Sequence, residues 1–157
     1  MTDFFLDTCS LKWRYLTGNP TSHVNAIVES SDNAYIGELT ILEWSSALAD
    51  AVREEHITKE VFKTNELALF SDIAADRLKV FKTRRILERA RAWIEYIGVI
   101  GLRHLKTNDA IHLSTALELS SQVQRTVTFV TSDLKFYNTL NSFDVLRPNL
   151  LPIYFAR

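Results

Sequence analysis

Val127-Thr-Phe-Val-Thr-Ser-Asp133 is the stretch that decides how the rest of the chain is read. Its first five residues are β-branched or aromatic and form a short strand, and Ser132-Asp133 supplies the turn and capping oxygen that open a helix. Asp3-Phe-Phe-Leu-Asp7 repeats the pattern upstream: an apolar run closed by a carboxylate, with Thr8-Cys9-Ser10 turning into a helix. Ala34-Tyr-Ile-Gly37 and Leu78-Lys-Val-Phe81 read as two further strands, and Phe143-Asp-Val-Leu146 as the closing one.

Helical periodicity fills the intervals. Asn19-Pro20-Thr21-Ser22 breaks the first helix and caps a second one running to about Ser31. From Thr40 to about Glu55, the residues Ile41, Trp44, Ala47, Leu48, Ala51 and Val52 recur at three and four, which makes one buried stripe. A further helix is expected from Thr58 to Arg77. The next has Ile86, Ala90, Trp93, Ile94 and Ile97 on its buried face, with Gly98 and Gly101 marking its end. Thr107 caps a helix striped by Ala110, Leu113, Ser114 and Leu117, and the helix after Asp133 runs to about Leu140. Short apolar strands alternating with long helices imply an α/β fold, a three-layer α/β/α sandwich around a mainly parallel sheet. One domain, residues 1–157, is expected, with 147–157 as a tail whose Leu150, Leu151, Ile153, Tyr154 and Phe155 need a surface to cover.

The 157 residues, 46% of them hydrophobic, suffice for a self-supporting core without staples. The single cysteine, Cys9, has no internal disulfide partner, and no Cys/His cluster offers a closed metal site. No charged leader precedes an apolar segment and nowhere do eighteen apolar residues run together, so a soluble cytoplasmic protein with no membrane partner is expected. The net charge of -1 conceals an asymmetry: nine Lys and Arg between Arg77 and Lys106 face only Glu88 and Glu95. That segment reads either as a surface for a phosphate backbone or as a solvated helical face.

In an open parallel sheet, ligands bind beyond the carboxyl ends of the strands. Four acidic residues belong at that edge: Asp7 after the first strand, Glu43 in the first turn of the helix after the second, Asp109 in the first turn of a helix, and Asp133 after the clearest strand. Helix capping explains any one of them singly. Glu43 and Asp109, however, are flanked by the core positions Leu42, Trp44, Ala110 and Ile111, which directs their side chains into the crevice. Carboxylates gathered there repel one another unless a cation neutralises them, and all-oxygen ligation without cysteine selects Mg²⁺ or Mn²⁺. Water on such an ion is the candidate nucleophile for phosphodiester hydrolysis.

Four segments, Phe4-Phe-Leu-Asp-Thr-Cys-Ser10, Tyr35-Ile-Gly-Glu-Leu-Thr-Ile-Leu-Glu43, Leu105-Lys-Thr-Asn-Asp-Ala-Ile-His-Leu113 and Phe129-Val-Thr-Ser-Asp133, resemble in order and spacing the acidic motifs of PIN domains. The resemblance covers nearly the whole chain, whose compact size is similar to VapC-type toxins of toxin–antitoxin pairs. It implies a three-layer fold and a Mg²⁺- or Mn²⁺-dependent endoribonuclease, with Asp7 and Asp109 as principal ligands. Glu43 would bind the ion directly or through water, Asp133 would complete the site, and the hydroxyls of Thr8, Thr131 and Ser132 would orient ligands or a phosphate. It also implies an RNA substrate, a cognate antitoxin that can insert an Arg or Lys among the carboxylates, and a homodimer.

Cys9 and Gly37 depart from the small hydroxyl residues usual at those places, which touches loop detail and removes no carboxylate. His112, three residues after Asp109, reads as packing the site and stays outside the ligand set. Trp44 and Trp93 read as core, whereas Trp13 and Tyr15 read as exposed rings for a partner's groove or for RNA bases, the partner being favoured. Two other readings stand beside the nuclease. One is a catalytically inactive PIN-like module that binds RNA or protein; the other is a phosphate-accepting signalling domain using Lys135, for which no adjacent acidic pair follows the first strand.

Overall fold

The computed structural model describes residues 3–16, 21–84, 86–99, 104–142 and 152–156. Two strands, β1 (Asp3–Leu6) and β4 (Val127–Thr131), pair in parallel at the centre of the sheet because both can be buried on their two faces. Around them lie α1 (Thr8–Tyr15), α2 (Thr21–Ser30), β2 (Asn33–Gly37), α3 (Glu38–Arg53), α4 (Lys59–Ala74), β3 (Lys79–Phe81), α5 (Ile86–Val99), α6 (Thr107–Val123), α7 (Leu134–Asn141) and β5 (Ile153–Phe155). The strand order is β3-β2-β1-β4-β5 and every pairing is parallel.

Strand side chains alternate between two helical layers. Phe5, Val127 and Phe129 pack with Ala90 and Ile97 of α5, Ala110, Leu113, Ala116 and Leu119 of α6, and Phe136 and Leu140 of α7. Leu6, Ala34, Ile36 and Val130 face the other way, onto Leu11, Val24, Ile27, Trp44, Leu48 and Leu69 from α1 to α4. Phe5 stacks on Phe129 with 5.7 Å between ring centroids, and Phe129 meets the edge of Phe136. The chain thus leaves β1 into one helical layer and leaves β4 into the other. Their carboxyl ends flank the point where the connections diverge, and a crevice opens there.

Several expected boundaries move. The fifth strand is Ile153–Phe155, within the expected tail: Tyr154 pairs with Val130, and Ala156 N donates to Thr131 O. The expected closing strand at 143–146 lies outside the described residues. A three-residue strand on the sheet edge needs only the backbone of β4, so hydropathy alone does not mark it. Helix α3 begins at Glu38, two residues before Thr40, because the extended backbone of Gly37 already stands at its N-cap; Glu43 therefore falls in the second turn. Thr107 is the first residue of α6 and Lys106 is its cap, with no side-chain capping bond. Helix α5 continues through Gly98 to Val99. Thr58 does cap α4, accepting from Val61 N, but that helix ends at Ala74.

Candidate functional site

Asp7 follows β1 directly and caps α1, its Oδ1 accepting from Ser10 N at 2.7 Å. It is 4% exposed. Burial pushes its carboxyl up, against the attraction of His112 and hydrogen bonds from Thr131 and Ser10. Asp133 follows β4 and caps α7, with Oδ1 accepting from Lys135 N at 2.8 Å and Phe136 N at 3.1 Å. Burial raises its carboxyl, but those two amides and Lys106 outweigh that, so it stays well ionised. Capping and membership of an acidic edge are therefore the same arrangement: a parallel strand that runs into a helix places its terminal carboxylate at both.

Asp109 sits in the first turn of α6. Its carboxyl is pushed up to about 6, chiefly by burial; Lys106 opposes this, and the negative charges of Asp133 and Asp7 reinforce it. The same three aspartates, after burial, help drive the Cys9 thiol up to about 12, so Cys9 is no thiolate nucleophile. Asp7, Asp109 and Asp133 thus share one electrostatic neighbourhood around Cys9. Lys106 pairs with this group, its Nζ 3.5 Å from Asp133 Oδ2, and Asp109 followed by Asp133 raises its pKa.

Glu43 is placed differently. Thr8 Oγ1 donates to Glu43 Oε2, His112 Nε2 lies 2.6 Å from the same oxygen, and Asn108 donates to Oε1. Burial raises this carboxyl, yet the bonds from His112 and Thr8 more than offset it, so it lies below its ordinary value. His112, itself buried, borders the ring of Phe5 at 6.4 Å. Asp109 feels the charges of Asp7 and Asp133, and His112, which holds Glu43, also acts on Asp7 and Asp109. Among the described residues, no three Asp, Glu, His or Cys side chains are set as a ready coordination shell.

The expected hydroxyls are engaged within the protein. Thr8 holds Glu43, and Thr131 accepts from Asp133 N at 3.0 Å while also bonding Asp7. Ser132 donates to Cys9 O at 2.7 Å and accepts from Trp13 Nε1 at 3.2 Å. Trp13 and Tyr15 are accordingly not free rings. Both pack against the core, and Tyr15 tilts over Trp44 and donates to Asp72, which also accepts from Arg14 and Arg77. Trp44 is buried as expected, whereas Trp93 is only half-buried against the core. Leu42, expected as a core neighbour of Glu43, is 68% exposed, because it lies off the stripe on which α3 buries Thr40, Trp44 and Leu48.

Most of the described cations of the basic segment have carboxylate partners. Arg77 pairs with Asp72, Lys79 with Asp76, Arg89 with Glu118 and Arg91 with Glu95, while Arg85 and Arg103 lie outside the described residues. Of the segment's described cations, Lys106 is the one that borders the aspartates. Asn108 and Lys135 belong beside the site although charge patterning did not single them out for substrate; their positions next to Asp109 and Asp133 are the signal that marks them.

No family model and no curated protein matches this chain. Solved structures do. The chain is similar to the crystal structure of VapBC2 from Rickettsia felis bound to a DNA fragment from their promoter, with a TM-score of 0.65 at 14% identity over 99% of this chain and 100% of that one. It is also similar to PAE2754 from Pyrobaculum aerophilum, with a TM-score of 0.57 at 17% identity over 88% and 84% of the two chains. FitAcB from Neisseria gonorrhoeae scores 0.57 at 14% identity over 96% of each. At such identities the likeness is one of backbone. The chain has the PIN-like three-layer α/β fold that its acidic motifs lead one to expect.

Proposed function

We propose that this chain is a Mg²⁺- or Mn²⁺-dependent endoribonuclease and the toxin of a type II toxin–antitoxin pair, acting in the cytoplasm. One observation carries the reading: Asp7, Asp109 and Asp133, from three separate elements, lie where the connections diverge, and Asp109 is pushed up to about 6 by burial first and then by the charges of Asp133 and Asp7. Carboxylates that repel in this way make a site for a hard dication. Asp7 and Asp109 would hold it and Asp133 would assist; an ion held by one or two carboxylates and otherwise by water suits a site without a closed shell. The bound ion would supply ionised water and charge stabilisation for phosphodiester hydrolysis.

The chain's own contribution is position. Thr131 and Ser10 fix the Asp7 carboxylate, the first turn of α7 fixes Asp133, and Thr8, Asn108 and His112 fix Glu43. Lys106 balances the aspartates and lies ready for a phosphate. The likeness to the VapBC2 and FitAcB structures supports a partner antitoxin, which would cover this cleft with an inserted Arg or Lys, and a homodimer belongs to the same reading. The test combines Mn²⁺ binding by calorimetry with RNA cleavage: wild type should bind and cut, excess chelator should abolish cutting, and folded Asp109→Asn should lose both. Cutting that persists in chelator or in that variant would refute it.

A second reading, a PIN-like module that binds RNA or protein without turnover, is favoured by the commitment of Glu43 to His112, Thr8 and Asn108. It expects RNA binding that is unaffected by replacing any of the four carboxylates.

A further inference from the structure

Beside the aspartates, a cavity of about 360 Å³ opens between the start of α6 and the outer face of α7, lined by His104, Lys106, Asp109, Asp133, Lys135 and Asn138, with the Phe136 ring and Thr139 also bordering it. Asp109 and Asp133, the latter paired with Lys106, line it together with Lys135, whose exposed ammonium no carboxylate pairs with among the described residues. Asn138 brings an amide able both to donate and to accept, and Thr139 a hydroxyl. The volume lies at the lower end for small-ligand clefts, with room for one nucleotide and none for a duplex.

We propose that this cleft seats one nucleotide of a single-stranded RNA, adjacent to the phosphate presented to the aspartates, with Lys135 contacting its phosphate and Asn138 facing its base. The inference rests on the nuclease reading for where the scissile phosphate lies. An unpaired ammonium at hand for a backbone oxygen, an amide for a base edge and a volume that suits one nucleotide together favour this ligand over an acidic peptide.

The probe is a labelled single-stranded RNA of about ten nucleotides, with binding read by fluorescence anisotropy of the full chain in chelator so that none is cut. Lys135→Gln should bind about eightfold more weakly near 50 mM salt and approach wild type near 1 M, the slope of log K against log salt falling by about 0.7. Asn138→Asp, which puts a negative charge in the cleft, should weaken binding further, and Lys63→Gln on α4 in the opposite layer should leave it unchanged. A Lys135→Gln protein with wild-type affinity and slope, or a glutamate-rich peptide of matched charge competing as well as RNA, overturns the cleft assignment. If metal-dependent cleavage then remains with an unchanged KM, the nuclease reading stands and only this cleft falls. If wild type neither binds RNA in chelator nor cuts it with Mn²⁺, both fall together.

Discussion

Asp109→Asn should make the folded chain more stable at neutral pH, the opposite of what replacing a buried, partnered carboxylate normally does. The Asp109 carboxyl is pushed from 3.8 to about 6, first by burial and then by Asp133 and Asp7 against the pull of Lys106. Its folded state therefore binds a proton more tightly than its unfolded state. The stability associated with that proton is complete below about pH 3.8, is lost as pH rises from there to about 6, and stays lost above. A rise of about two in pKa corresponds to about 3 kcal/mol. Asp109 is half-buried, so solvent screening reduces this to about 1.5 kcal/mol. The asparagine also forfeits about 0.5 kcal/mol of favourable charge at the N-terminus of α6. The net expectation is a gain of about 1 kcal/mol above pH 6, or roughly 2 to 4 °C in Tm for a domain of this size, vanishing by about pH 4. Urea and thermal denaturation of both proteins across this pH range, in chelator, measure it. A variant that is less stable at pH 7.5, or a gain equally large at pH 4, would refute the claim that burial and the neighbouring aspartates disfavour the ionised Asp109 in the folded chain.

Other perturbations probe the rest of the site. His112→Ala removes a buried ring next to Phe5 and an interaction with Glu43, and should cost about 2 to 3 kcal/mol in urea denaturation; a cost below about 1 would mean that Glu43 is held by Thr8 and Asn108 alone. Gly37→Ser should stabilise by about 0.5 kcal/mol: Gly37 has an extended backbone at the uncapped start of α3, and an added Cβ there meets Thr115 at 3.4 Å and Phe5 at 3.5 Å, ordinary contact distances. A clear loss of Tm would show that the departure from a hydroxyl residue at this place is required. Asp72→Asn leaves the guanidinium groups of Arg14 and Arg77 without their carboxylate and should cost about 2 to 3 kcal/mol, below the range for a fully buried pair because Arg77 is half in water. The same variant should leave RNA affinity unchanged, since this network lies among α1, α4 and the chain leading to β3, apart from the aspartates.

The fold was legible because it is written in local periodicity. Strands such as Val127–Thr131 must be apolar on both faces to sit mid-sheet, helices such as α6 must repeat small and large residues on one stripe, and a carboxylate must close a strand that runs into a helix. Those constraints act within a few residues, so Asp7, Asp109 and Asp133 could be assigned to one edge of the sheet before any coordinates. Edge strand β5 escaped notice because backbone pairing to β4 defines it and no pattern of its own does.

Pairings across long stretches of sequence were decided by tertiary structure alone. Glu43 meets Thr8 and His112, at separations of 35 and 69 residues, and the same His112 also acts on Asp7 and Asp109. Trp13 is drawn inwards by Ser132, 119 residues away, and the cations of the 77–106 segment are divided among carboxylates on several elements. Side-chain charge and hydrogen-bonding capacity are properties of residue type, but which partner satisfies them depends on distances that only packing sets. The sequence by itself therefore determined the layers and the acidic edge, and the folded chain chose which of those acids face one another and which is held by a histidine.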